Sequence, residues 1–382
     1  MTTKEECDRI TNYVKEKIID FGYPLEVHSV VTEDGYINSM FRIPHGKLGP
    51  IEISERFPVL LVHGLLASCA DFVNEEKGLG YFLADAGYDV WIANCRGTTF
   101  SREHISLDCF KNRKEYWDFS WHEIGYYDIP AMIDYVLSIT SRSKLFYVGH
   151  SQGVTAFMVL LSSKPKYNEK IILCCGLAPV AIFNRARIFP LKIFSYCILL
   201  IQDFLNFFSI KITELPGTSM VRRFLRQGKN NSIMRVLCLS YLSLTSGHAN
   251  KPQAETMDLT QIGITTTNTA SWRQVIHYSQ VVKSDVFSNY DHGKSRNKEK
   301  YGTESLSAYD LSRVSAPVAL FYGKNDLNYH EDDVNTLAGK LGNVVLKHAV
   351  DLDLFNHLDF LYAKDSIPLL YNHITNIMKK YK

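Results

Sequence analysis

Gly149-His150-Ser151-Gln152-Gly153 sets a serine between two glycines, where the apolar run Leu145–Val148 gives way to the helix-like run Gln152–Ser163. A strand that turns straight into a helix holds the residue at the turn in a strained backbone conformation. Side chains at the flanking positions would crowd it, which is a steric reason for Gly149 and Gly153. Such an elbow lifts the Ser151 hydroxyl to the carboxyl end of a sheet. It leaves the N–H of Gln152, at the helix start, free to stabilise an oxyanion. The chemistry implied is attack by serine on an acyl carbonyl, and the alternative is a Gly-rich turn with no chemistry.

A serine is a weak nucleophile and needs a base, and the base needs an acid to fix its tautomer. With this elbow the chain order is serine, acid, histidine. The acid belongs just after a late strand. Val318–Tyr322 is such a strand, and Gly323-Lys324-Asn325-Asp326 follows it, so Asp326 is the candidate. Asp310, Asp332 and Asp333 compete, but they lie before the strand or on the next helix. Asp326 could also simply close a turn or cap that helix. The base belongs on a loop after the last strand, and His357 in Phe355-Asn356-His357-Leu358-Asp359-Phe360 fits. His348 lies within the strand, His330 on the acid's own loop and His373 in the last helix. The second oxyanion donor is expected after an early strand. There His63-Gly64-Leu65-Leu66 offers the Leu65 N–H, with Gly64 permitting close approach and His63 orienting the turn.

These groups require a scaffold of buried parallel strands. Continuous apolar runs at Val59–Val62, Asp89–Ala93, Leu145–Val148, Ile171–Leu177, Val318–Tyr322 and Val344–His348 alternate with helical periods near 81–86, 127–138, 152–163, 331–341 and 367–380. That alternation means an α/β fold, a mostly parallel central sheet with helices on both faces. Before it come a helix from Glu5 to Asp20 and a hairpin of Val27–Val31 and Tyr36–Ile43. The rhythm breaks between Arg185 and Asp310, which predicts a large insertion. The chain therefore divides into 1–184 and 311–382 as two parts of one core, with 185–310 inserted.

Composition excludes several classes. Over 382 residues the formal net charge is +2, so no field favours nucleic acid or anionic membranes. The densest basic stretch, Lys294–Lys300, reads as a solvated loop. Eight cysteines show no CxxC pair and no metal-ligand spacing, and Cys174-Cys175 reads as part of a buried strand. The run Ile188–Phe208 is amphipathic rather than membrane-spanning, because it contains Pro190, Lys192, Gln202, Asp203 and Asn206. The charged start Met1–Arg9 is followed by no apolar leader, so either the chain is not secreted or a leader was removed from it. Asn230-Asn231-Ser232 is a single sequon.

Seven stretches resemble the acid lipase family of α/β-hydrolases, which includes gastric and lysosomal lipases and invertebrate relatives. They are Val30–Tyr36, Arg42-Ile43-Pro44, His63–Ser68, Leu83–Trp91, Tyr127–Ala131, Gly149–Gly153 and Asn356–Phe360. They run from about residue 15, where a lipase-associated segment 15–58 begins, to the end, apart from much of the insertion. The resemblance implies hydrolysis of long-chain fatty-acyl esters, triacylglycerols and in some members cholesteryl esters. It implies Ser151, Asp326 and His357 as triad, Leu65 and Gln152 as oxyanion donors, no cofactor, and an insertion that forms a cap with a lid. It implies a secreted or lysosomal location, with a cytoplasmic or lipid-droplet-associated protein as the alternative. The chain departs from the family in three places. It has one sequon, only Cys238 of the cap cysteines, and Tyr322-Gly323 where members commonly show Gly-Gly.

The apolar segments Ile188–Ile201 and Phe204–Phe208 would line an acyl tunnel and present a surface to an oil–water or membrane interface, or else pack as a helical hairpin under the cap. Two other classes remain open on the sequence: a carboxylesterase for small soluble esters, and a non-catalytic lipid-binding protein on the same fold.

Overall fold

The structure, a computed structural model, describes residues 3–49, 52, 56–74, 76–183, 189–216, 218–229, 231–248, 253, 258–265 and 267–382. Helix α1 (Lys4–Asp20) buries Cys7, Ile10, Val14 and Ile18, the stripe its spacing predicts. Strands β1 (Glu26–Val31) and β2 (Tyr36–Ile43) form the expected antiparallel hairpin, with Glu26 opposite Arg42. The core follows with β3 (Pro58–Val62), β4 (Asp89–Ala93), β5 (Glu103–His104), β6 (Leu145–His150), β7 (Ile171–Leu177), β8 (Val318–Tyr322) and β9 (Val344–Ala349).

The sheet order is β1-β2-β4-β3-β6-β7-β8-β9, with β5 on the edge of β2. All neighbours from β4 to β9 are parallel, and β2 runs antiparallel to β4. Every residue of β3, β4, β6 and β8 is buried, so both faces of the sheet are covered there. Helices α2 (Leu79–Asp85), α3 (Ile129–Thr140) and α4 (Gln152–Ser163) supply cover in the first half. From β3 the chain passes to β4 on one side and then returns to β6 on the other. The strand order therefore reverses between β3 and β6. In open α/β sheets the crevice beyond the strands' carboxyl ends at such a point is where ligands bind. His63–Leu66 leave β3 there, and Ser151 leaves β6.

Between β7 and β8 the described residues form helices: α5 (Phe189–Phe207), α6 (Thr218–Gln227), α7 (Ser232–Ser246), α8 (Leu259–Thr265), α9 (Trp272–Ser284) and α10 (Lys294–Tyr301). Strand pairing among the described residues is limited there to two isolated bridges, Glu214 with Ser271 and Ser288 with Ala308. The boundary at 184/185, Ile188, Asn230 of the sequon and Thr266 lie outside the described residues. Helices α11 (Glu331–Lys340) and α12 (Asn372–Lys379) complete the fold.

One expectation is corrected. The basic stretch Lys294–Lys300 is helix α10, not a loop. Its straight-chain lysines, arginine and glutamate are good helix formers. Gly293 and Gly302, at φ +85 and +76, bracket it. Asn297, its one buried residue, bonds the Asp291 carboxylate and the His292 N–H at 2.8 and 2.9 Å. Lys294–Arg296 and Lys298–Lys300 are polar and outward-facing, as the composition requires.

Candidate active site

Ser151 stands at φ 52, ψ −114, immediately before α4. A non-glycine residue held there carries strain of about 1–3 kcal/mol, which neighbouring contacts must maintain. Its N–H donates to the Leu177 carbonyl of β7 at 2.9 Å, and its own carbonyl accepts from the Val154 N–H at 2.9 Å. The glycines interlock around it. A Cβ on Gly149 would lie 2.8 Å from the Gly153 carbonyl carbon, and one on Gly153 would strike the Val62 carbonyl oxygen. A Cβ on Gly64 would lie 3.1 Å from that of Ser151. The elbow is thus packed tightly against β3's loop as well as within itself.

Asp326, on the loop after β8, and His357, on the loop after β9, meet at Ser151. The Ser151 hydroxyl lies 2.9 Å from His357 Nε2, and His357 Nδ1 lies 2.6 Å from Asp326 Oδ2. The Asp326 side chain is buried. Its carboxylate accepts a hydrogen bond from Nδ1–H, leaving Nε2 as the acceptor facing serine. Oδ1, the second oxygen, accepts from the Asn328 N–H at 2.7 Å and from Asn328 Nδ2 at 3.2 Å. The turn-closing role and the role as histidine's partner therefore coexist on different oxygens. The competing residues are engaged elsewhere. Asp310 caps the short turn Leu311–Arg313, Asp333 and His330 form the capping box of α11, and the rings of His348 and His373 stack at 4.4 Å.

On the β3 loop, His63 is fully buried. Its Nδ1–H donates to the Gly64 carbonyl at 2.8 Å and its Nε2 accepts from the Cys95 N–H at 3.1 Å. Burial lowers its pKa to about 4, so it is neutral and braces the turn. Leu66 follows at φ 62, and its carbonyl accepts from the Asn268 N–H at 2.8 Å. Leu65 borders the same cavity as Ser151, and Gln152 is the first residue of α4, so its N–H precedes the helical ladder. The Gln152 side chain donates to Gln274 of α9 at 2.7 Å.

Sequence reading passes over several groups that hold these residues. His150 is buried, and its Nε2–H donates to the His357 carbonyl at 3.1 Å. Burial keeps it neutral by driving its pKa well down, with the nearby His357 acting the same way. Tyr329 accepts from the Gly323 N–H at 2.9 Å, pinning the turn that bears Asp326. The Asp-x-Asn spacing of the Asx turn at Asp326–Asn328 was a usable signal. Nothing local in the sequence announces that residue 150 reaches residue 357.

Asp359 is a further buried carboxyl. Its Oδ2 accepts from the Asn356 N–H at 2.9 Å. Burial, reinforced by the Asp326 charge, pushes its pKa up from 3.8 to about 7. The folded chain therefore holds a proton here that the unfolded chain releases above about pH 4. This site's contribution makes stability fall as pH rises through the window from about 4 to 7. In melts at pH 4.5 and 7.5, the difference in Tm between the parent and Asp359→Asn should shift toward the variant at the higher pH. Parallel curves would refute the assignment.

A cavity of about 400 Å³ opens onto Ser151 and His357. Its walls are mainly apolar, including Phe183, Ile198, Leu225, Leu242, Val275 and Val282. Most of these come from the helices between β7 and β8. The outer sides of α5 and α7 also expose large apolar residues, among them Leu200, Phe204, Phe207, Ile233 and Leu244. No helix among the described residues is long and apolar enough to cross a membrane.

A strained serine at the carboxyl end of such a sheet is the arrangement of the α/β-hydrolases, and the family model described as "alpha/beta hydrolase fold" matches residues 58–351. A second, "Partial alpha/beta-hydrolase lipase region", matches 14–76. Whole-chain comparison narrows the class. The chain is 36% identical to Lipase 1 of Drosophila melanogaster, over 96% of this chain and 80% of the relative. It is 33% identical to the gastric triacylglycerol lipase of Bos taurus and 33% identical to the lysosomal acid lipase/cholesteryl ester hydrolase of Rattus norvegicus, over 97% of this chain and 91% of each. The chain belongs to the acid lipase family of α/β-hydrolases and is a carboxylic ester hydrolase. Among solved structures, a membrane phospholipase A shares the fold at TM-score 0.52 and 11% identity, covering 98% of this chain and 91% of that one.

Proposed function

We propose that the protein is a lipase for long-chain fatty-acyl esters, with triacylglycerols and cholesteryl esters among them, acting at a lipid–water interface. The observation that carries this reading is the mainly apolar cavity that Ser151 and His357 border. In this mechanism Ser151 attacks the ester carbonyl while His357 Nε2 takes its proton. Asp326 keeps Nδ1 protonated and stabilises the imidazolium. The N–H groups of Leu65 and Gln152 bind the oxyanion. The alcohol leaves with the proton from His357, and water, activated by the same histidine, releases the fatty acid. Each oxyanion donor is worth on the order of 10²- to 10³-fold in kcat.

In the same reading 185–310 is a cap inserted between the two core parts, 1–184 and 311–382, and the exposed apolar sides of α5 and α7 face lipid. The named gastric and lysosomal relatives support a secreted or lysosomal location. Fatty-acid release from a long-chain triacylglycerol emulsion, measured beside hydrolysis of a soluble short-chain ester, tests the proposal. Turnover should be strong on the emulsion. Activity confined to the soluble ester would instead make the protein a carboxylesterase. Stoichiometric lipid binding without turnover would make it a carrier.

A further inference from the structure

The helices between β7 and β8 touch the loops of the candidate active site as well as lining its cavity. Helix α7 ends at Ser246, and the next two residues cross the two loops that carry Asp326 and His357. The His357 N–H donates to the Ser246 carbonyl at 3.1 Å. Asn325, beside Asp326, donates through Nδ2 to the His248 carbonyl at 2.8 Å. Asn356, beside His357, donates through Nδ2 to the same carbonyl at 3.3 Å. One short stretch of backbone therefore ties the acid's neighbour, the base and the base's neighbour together.

Gly247 lies at the centre of this crossing, at φ +122, ψ 159. That region is open essentially to glycine alone. A Cβ there would also strike the Asn325 carbonyl oxygen and stand 2.8 Å from Asn356 Cβ. Both the backbone conformation and the close approach to the acid's loop thus require glycine.

The same helix has two other surfaces. Tyr241, Leu242, Thr245 and Ser246 border the cavity, while Ile233, Val236, Leu237 and Leu244 are exposed on its outer side. Whatever fills the cavity against α7, or draws on its outer side, bears on the backbone that holds His357.

We propose that Ser246-Gly247-His248 is a positioning clamp: it fixes the separation of the Asp326 and His357 loops and couples their alignment to the seat of α7 over the cavity. The inference rests on the reading of these two residues as acid and base. Gly247 touches no reacting atom, and it acts through His357. A displacement of about 1 Å in a positioned group can cost about 10²-fold in rate. The clamp therefore shows mainly in kcat, and KM shifts less because α7 supplies only part of the cavity's wall.

The test compares the parent, Gly247→Ala and Asn325→Ala on a soluble short-chain ester, with rates expressed per site titrated by a serine-directed fluorophosphonate. Gly247→Ala should lose about 30-fold or more in kcat with KM within about threefold, and Asn325→Ala about three- to tenfold in the same parameter. Titration confines the reading to folded sites. If Gly247→Ala does not accumulate in folded form, Asn325→Ala decides. Either variant keeping kcat per site within twofold of an active parent overturns the clamp. A parent that hydrolyses no ester overturns the esterase reading instead.

Discussion

Replacing Ser151 with alanine should remove ester hydrolysis, with kcat falling by about 10⁴- to 10⁶-fold while the protein stays folded. Without Oγ no acyl-enzyme can form. The backbone donors and His357 remain, and such remnants sustain about 10³- to 10⁴-fold over water at best in comparable sites. Folding should survive. The change leaves the Ser151 N–H to Leu177 and the carbonyl contact with Val154 in place, and those bonds hold the elbow. Fatty-acid release and active-site titration are the measurements, with the Tm as control. A folded variant retaining a tenth of the parent's turnover would mean that another nucleophile does the chemistry.

That prediction was already available from five residues of sequence, because the elbow is a local device. Its strand, its serine and its helix are contiguous, and the steric need for Gly149 arises within the five-residue turn itself. The buried parallel strands were legible for a similar reason. Each is a short apolar run with hardly a polar interruption, and β4, β7 and β8 begin and end where the runs do. Partner residues came from chain order within the architecture, so Asp326 and His357 could be named from their loops. Their actual hydrogen bonds belong to folding across 31 and 206 residues.

What sequence did not reveal is what holds those loops. The bond from His150 to the His357 carbonyl spans 207 residues, and that from Gln152 to Gln274 spans 122. No periodicity encodes contacts of that kind. Strand β5 is two residues long, too short to carry an alternation. Helix α10 has no apolar stripe, so a reading based on burial finds nothing to orient. Gly247 illustrates the limit most sharply. In the sequence it is one glycine after a helix, an ordinary stop signal. Only the approach of the Asn325 and Asn356 loops turns it into a requirement.

Asp326→Asn should cost about 10⁴-fold in kcat, a loss that discriminates between the two things Asp326 does. Asparagine closes an Asx turn as well as aspartate. If the residue only closed the turn to Asn328, the substitution would be nearly silent. The geometry forces a different outcome. Oδ1 already accepts two donors, the N–H and Nδ2 of Asn328. An amide at this position must keep its oxygen there, which places its NH₂ where Oδ2 stands, 2.6 Å from His357 Nδ1. Facing a donor, Nδ1 must become the acceptor, and the imidazole proton moves to Nε2. That proton then points at the Ser151 hydroxyl, and the histidine can no longer remove the hydroxyl's hydrogen. KM should change little, since the cavity walls are untouched, and phosphonylation of Ser151 should slow in parallel with kcat. A variant with near-parental kcat would reduce Asp326 to a turn residue and reopen the search for the acid among the other carboxyl groups, Asp359 first.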